Sequence, residues 1–227
     1  MFSEIILLDS NPTKIKGGQD WFKSFKGIKQ FCKLDYDSLC HGLNETKQNY
    51  DLFFQENAFT TFEVYSEFLR FHKILQRSFD YFNYKNGNAR LRGRAKINKK
   101  IYQEILSYMV EIEKEIKNSI YHPLLCEDYI DLKDRLKNLE KRLNLKQNNK
   151  FDADISLVAT ALSRSKENLK TTIFTPDKDI SLLLEQTMKN FLLFDIEGYE
   201  NNPRIESNIK IFNTYNGYNI LSSRCFN

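Results

Sequence analysis

Four aspartates bracket one short stretch of the chain. Asp152 and Asp154 precede the helix-like run "ISLVATALSR", and Asp177 and Asp179 follow the strand-like run "LKTTIFT". Carboxylates so placed have two physical uses. They can cap and solvate the ends of the two elements. Or they can meet across the fold, where their mutual repulsion raises each other's pKa until a cation relieves it. Mg²⁺ and Mn²⁺ suit that task because they prefer oxygen ligands. Such an ion can bind a phosphate oxygen and lower the pKa of a water for attack. The chemistry that needs this arrangement is phosphodiester hydrolysis. It requires no activated Ser, Cys or His, which suits a chain with three histidines and no recognisable triad.

The flanking elements decide whether the acids can meet. "EIILLD" is a short, apolar, β-branched run ending in Asp9, and it predicts a buried strand of a parallel sheet. "AFTT" at 58–61 predicts a second short strand. The residues after it fit helical spacing through Phe62, Val64, Tyr65, Phe68 and Leu69, with Thr61 as a plausible cap. "DADISLVATALSR" predicts a helix with an acidic first turn, "LKTTIFT" a strand, and "PDKDISLLLEQTMKNFLLF" a turn into another helix. The tail carries two runs around Asn216-Gly217, a strand or hairpin signal. Strands alternating with helices point to an α/β fold with a mostly parallel sheet. In such sheets ligands bind beyond the carboxyl ends of the strands. Asp9 and Asp177 fall there, with Asp154 facing the same crevice and Glu67 as a fourth carboxylate.

Length and composition leave room for this architecture. The chain has 227 residues, 41% hydrophobic and 28% charged, enough for one large packed domain with an insertion. The net charge of +4 permits nucleic-acid binding without demanding it. The N-terminal apolar run, Ile5 to Leu8, falls far short of the ~20 residues of a membrane span. A cytoplasmic protein that does not enter a membrane is the expectation. Cys32, Cys40, Cys126 and Cys225 form no CxxC pair, so ordinary reduced cysteines are expected rather than a zinc site.

Four segments, in order, resemble the PIN-domain nuclease superfamily. "IILLDSN" is similar to its opening strand with the first acid, here Asp9, followed by a hydroxyl residue and Asn11. "EVYSEFLR" resembles the helix carrying the second acid, here Glu67, with Glu63 one turn earlier as the alternative. "DADISLVATAL" resembles the segment of the third acid, Asp154, with Asp152 able to exchange roles with it. "IFTPDKDI" resembles the closing T-x-D-x-D element, placing Thr175, Asp177 and Asp179, with Asp179 the better candidate for a helix cap. The resemblance covers about residues 1–15, 55–80 and 150–195. It implies a Rossmann-like three-layer PIN fold over 1–227, dependence on Mg²⁺ or Mn²⁺, and cleavage of RNA leaving a 5′-phosphate. Asp9, Glu67, Asp154 and Asp177 would hold the metal directly or through water, with Asp179 a further metal ligand.

Residues 85–148 fall outside the resemblance and read as an insertion. "NARLRGRAKINKK" holds Arg90, Arg92, Arg94, Lys96, Lys99 and Lys100 with no acid. A basic loop beside an acidic site would offset the repulsion between that site and RNA. Apolar residues step by four and three through 97–120 and again through 132–143, on either side of Pro123. They predict an antiparallel helical hairpin projecting from the α/β body, a possible docking surface for a protein partner. The rival function is a non-catalytic PIN-like scaffold that binds RNA or protein. A third is a toxin endoribonuclease paired with an antitoxin, although small PIN toxins are much shorter.

Overall fold

The computed structural model describes residues 3–9, 56–70, 72, 73, 76, 93–121, 127–145, 152–175, 177–189 and 208–212. Strand β1 is Glu4–Leu8, β2 is Ala58–Phe59, β3 is Lys170–Phe174 and β4 is Ile209–Phe212. Helix α1 spans 62–70, and residues 72, 73 and 76 are also helical. Helix α2 is Gly93–Asn118, α3 is Glu127–Arg142, α4 is Ala153–Lys166 and α5 is Lys178–Lys189.

The strands form one parallel sheet in the order β2-β1-β3-β4. Glu4 pairs with Lys170 and Leu8 with Phe174, so β1 and β3 run in step along their whole length. In each strand three of the five residues are buried and only the first, Glu4 or Lys170, is exposed, as expected of a parallel sheet covered on both faces. The α/β architecture and parallel sheet therefore agree with the sequence. Strands at 4–8, 58–59 and 170–174 and helices at 153–166 and 178–189 fall where the pattern puts them. Asn216-Gly217 and Pro123 lie outside the described residues. Among the described residues no helix is long and apolar enough to cross a membrane.

Helix α4 is the centre of the packing. Every residue from Ala153 to Leu162 is buried, and Arg164 and Ser165 are buried too. A helix buried all round must be covered on several sides, and α4 touches β3, β4, α3 and α5. Its small residues, Ala153, Ser156, Ala159, Thr160 and Ala161, permit that close approach. One cluster joins Ile155, Leu157, Val158 and Leu162 of α4 to Ile5 and Leu7 of β1, Ile173 of β3, and Ile180 and Leu183 of α5.

The insertion is arranged differently from the expected hairpin. The same cluster takes in Tyr129, Leu132, Leu136 and Leu139 of α3. Among the described residues α3 packs on α4 and α5, and it does not lie along α2. Helix α2 instead meets the β2–α1 region. His72 Nδ1 is 2.6 Å from Glu113 Oε2, and Thr60 forms a parallel bridge with Ile120. The apolar stripes were real, but a stripe shows only that one face is buried. Here that face of α3 is covered by α4 and α5. The basic run also differs from the loop expected at 90–100. Helix α2 starts at Gly93, because Arg, Ala and Lys are good helix formers and Gly93 stands only at its edge.

Leu136 is fully buried in this cluster. Leu136→Ala should destabilise the whole domain by about 2–5 kcal/mol in urea unfolding, in one transition shared with the sheet. A loss below about 1 kcal/mol would show that α3 is a peripheral arm.

Candidate active site at the carboxyl end of the sheet

The site begins where β1 ends. Asp9 follows Leu8 directly, is 1% exposed, and stays in the ladder through its N–H to the Phe174 carbonyl at 3.2 Å. Thr175 occupies the matching position after β3. Its hydroxyl donates to Asp9 Oδ2 at 2.7 Å. The Thr175 oxygen also accepts the Asp177 N–H at 3.0 Å, and Asp177 Oδ1 accepts the Asp179 N–H at 3.0 Å. A continuous hydrogen-bonded line thus runs from β1 across the end of β3 into α5. The chain leaves β1 towards β2 on one side, and leaves β3 towards β4 on the other. The gap between their carboxyl ends is therefore the switch point of the sheet, where open α/β folds accommodate ligands.

A second set of hydroxyls ties the remaining elements to that point. Thr60 donates to the Leu8 carbonyl at 2.8 Å. Thr61 Oγ1 lies 2.6 Å from Ser156 Oγ, and Ser156 Oγ lies 2.7 Å from the Ala153 carbonyl. Ser156 has one hydroxyl proton, directed to that carbonyl, so Thr61 is the donor between the two hydroxyls. Thr61 also caps α1, accepting the Val64 N–H at 3.3 Å. These bonds hold the start of α1, the end of β1 and the first turn of α4 together. Asp154 lies in that first turn and is 6% exposed.

The carboxylates take roles that the sequence left open. Asp177, not Asp179, caps α5 with its side chain. Glu63 pairs with Lys133 of α3, while Glu67, one turn further along α1, is half-buried. Asp152 occupies the N-cap position of α4 without a side-chain cap bond, and its Oδ2 pairs with Lys137 Nζ at 2.6 Å. Arg90, Arg92 and Asn11 lie outside the described residues. Arg94, Lys96 and Lys99 lie on α2, and only Lys100 of that run has a described side chain, which is exposed.

Helix α3 adds groups that the sequence did not single out. Tyr129 reaches Thr160 in mid-α4, Lys133 reaches Glu63, and Lys137 reaches Asp152 at the start of α4. The helix therefore climbs towards the carboxyl end of the sheet. There Glu140 is held above its ordinary carboxyl pKa by burial, and further by the charges of Asp152 and Asp179, against Lys137 and Lys141. Lys137 is raised, first by its hydrogen bond to Asp152. No signal marked these residues, because "LKDRLKNLEKR" has the charge pattern of any solvated helix face.

The acid and hydroxyl side chains described at the site offer oxygen donors, the kind that Mg²⁺ or Mn²⁺ takes. Among the described residues no three His, Cys, Asp or Glu side chains come together as a ready ligand set. The fit is therefore to an ion held by one or two carboxylates and completed by water and a substrate phosphate, the usual state of Mg²⁺.

Two outcomes test this electrostatic picture. Thr175→Val leaves the buried Asp9 carboxylate without its 2.7 Å donor, so it should destabilise the fold by about 1–3 kcal/mol, while Thr175→Ser should be nearly neutral. Glu140 binds its proton more tightly folded than unfolded, so stability should fall as pH rises from the ordinary 4.5 through the raised value. Glu140→Gln should remove that fall, raising the Tm at pH 7 relative to the parent more than at pH 4. A parent and variant with parallel Tm–pH curves would refute the assignment. No family model matches the chain, and no curated protein or solved structure matches it either.

Proposed function

We propose that the protein is a metal-dependent ribonuclease of the PIN type. The observation that carries this reading is a buried carboxylate, Asp9, fixed by the Thr175 hydroxyl at the switch point of a parallel sheet. Burying a carboxylate is costly unless it is hydrogen-bonded or paired. A carboxylate kept at a ligand-binding edge despite that cost is a candidate for chemistry.

In this reading Asp9 is the principal metal ligand, with Asp177 beside it in the hydrogen-bonded line as the second, and Asp154, Glu67 and Asp179 would act on the ion through water. When bound, Mg²⁺ or Mn²⁺ would supply Lewis acidity and a water of lowered pKa. Thr175 orients Asp9 by donating to Oδ2. Asp177, while capping α5, keeps its carboxylate at the end of β3. The basic start of α2, Arg94 to Lys100, with Arg90 and Arg92 before it, would bind the phosphate backbone of RNA. A non-catalytic scaffold is the second reading, favoured by the lack of a ready three-acid set among the described residues.

Asp9→Asn decides between them. It should keep the fold, since Asn can still accept from Thr175, and should lower Mg²⁺- or Mn²⁺-dependent RNA cleavage by more than roughly 100-fold. Even residues behind a metal ligand commonly contribute about 10- to 100-fold. Equal cleavage by parent and variant, or none by the parent with either ion, would favour the scaffold.

A further inference from the structure

Three described residues outside glycine have positive φ: Asn144, Asp152 and Asn168. Two of them follow helices. Asn168 sits where the Leu169 N–H returns to the Arg164 carbonyl at 3.1 Å, and Asn144 where the Leu145 N–H returns to the Glu140 carbonyl at 3.2 Å. Both are ordinary left-handed helix ends. Asp152 differs, because it precedes a helix. An N-cap residue normally has extended dihedrals and turns its side chain onto the first N–H groups. Asp152 has φ 51° and ψ 34°, and no side-chain cap bond. Its carboxylate points to Lys137 of α3 instead, at 2.6 Å.

The ion pair is about one-third exposed on both sides, 37% and 34%. Pairs in that setting contribute little to stability. The residue behind it, however, is left-handed at a position where a cap residue is ordinarily extended; aspartate tolerates that conformation better than most non-glycine residues, so a modest interaction such as this pair is enough to select it. The turn leads directly into the helical turn bearing Asp154, whose first amide bond is Ser156 N–H to the Asp152 carbonyl at 2.9 Å.

We propose that Lys137 is a positioning residue for Asp154: its pair with Asp152 holds the entry turn of α4 left-handed and thereby sets where the Asp154 carboxylate stands. The inserted helix α3 then has a task in the reaction, through the turn that it holds. This rests on the nuclease reading for its catalytic consequence. Without Lys137, Asp152 is released to cap α4 in the ordinary way, and the first turn shifts with it. The neighbouring charges Asp134, Glu63 and Glu140 also bear on Lys137, so the test must isolate the route through Asp152.

Lys137→Met, Lys137→Arg, Asp152→Gly and the double variant Lys137→Met/Asp152→Gly provide that test in the full-length chain. Glycine takes the left-handed conformation without help. Lys137→Met should lower metal-dependent RNA cleavage by roughly 10-fold or more and speed amide hydrogen exchange at 153–156, with a Tm close to the parent's. Lys137→Arg should restore both. In the Asp152→Gly background Lys137→Met should add nothing to either measurement. An equal additional loss there would overturn the route through Asp152. Unchanged exchange at 153–156 in Lys137→Met would overturn the positioning even in an active enzyme. A parent that cleaves no RNA would overturn the nuclease reading and the catalytic consequence with it, while the exchange comparison still decides whether Lys137 sets the turn.

Discussion

A carboxylate withdrawn from water at the end of a central strand constrains everything built around it. Asp9 is nearly inaccessible, and desolvating an ionised group without partners costs far more than the few kcal/mol by which a domain is stable. The Thr175 hydroxyl meets part of that demand, but only if β3 lies beside β1 in the observed register. Slipping the pairing by one residue would invert the faces of β3 and carry Thr175 away from Asp9. The hydrogen bond and the sheet register therefore specify each other. The same threonine oxygen receives the Asp177 amide, so the start of α5 inherits its position from β1.

The second constraint is steric. Because α4 is buried on nearly every side, the elements around it cannot be chosen independently. Its small residues allow α3 and α5 to approach, and its first turn is bound to Thr61 through Ser156. Ionic contacts then fall at the starts of α1 and α4, where Lys133 of α3 meets Glu63 and Lys137 of α3 meets Asp152. Apolar packing sets which elements meet. The charged pairs set how they are aligned at the carboxyl edge.

Much of this was legible in the residues themselves. The unbroken run Ile5–Leu8 is too short for a helix and is closed by Asp9 and the Asn-Pro break, which reads as a buried strand with Asp9 at its end. The four-residue unit Thr175–Lys178 could be read as a turn, but not which acid would cap the helix, since Asp177 and Asp179 stand only two residues apart at its start. Helix α3 was legible as a helix and illegible as a neighbour. Leu132, Leu136 and Leu139 state that one face is buried, while the partner depends on surfaces formed from residues far along the chain. Glu140 and Lys137 were hidden for the same reason. The character of Glu140 comes from its burial and then from Asp152 and Asp179, and that of Lys137 from its hydrogen bond to Asp152, all of which exist only once the fold is complete.

The bond between Thr175 and Asp9 spans 166 residues. On a translating ribosome, β1 leaves the exit tunnel long before its partner strand exists. At roughly 5–20 residues per second the interval is about 8 to 33 s. Throughout it, Ile5, Leu7 and Leu8 have no sheet to join, and the β2 pairing offers them two residues at most. A nascent chain so arranged presents a short apolar strand with open edges to every neighbour in the cell. Its yield in vivo should then be governed by what shelters that strand during synthesis, rather than by the stability the finished protein attains.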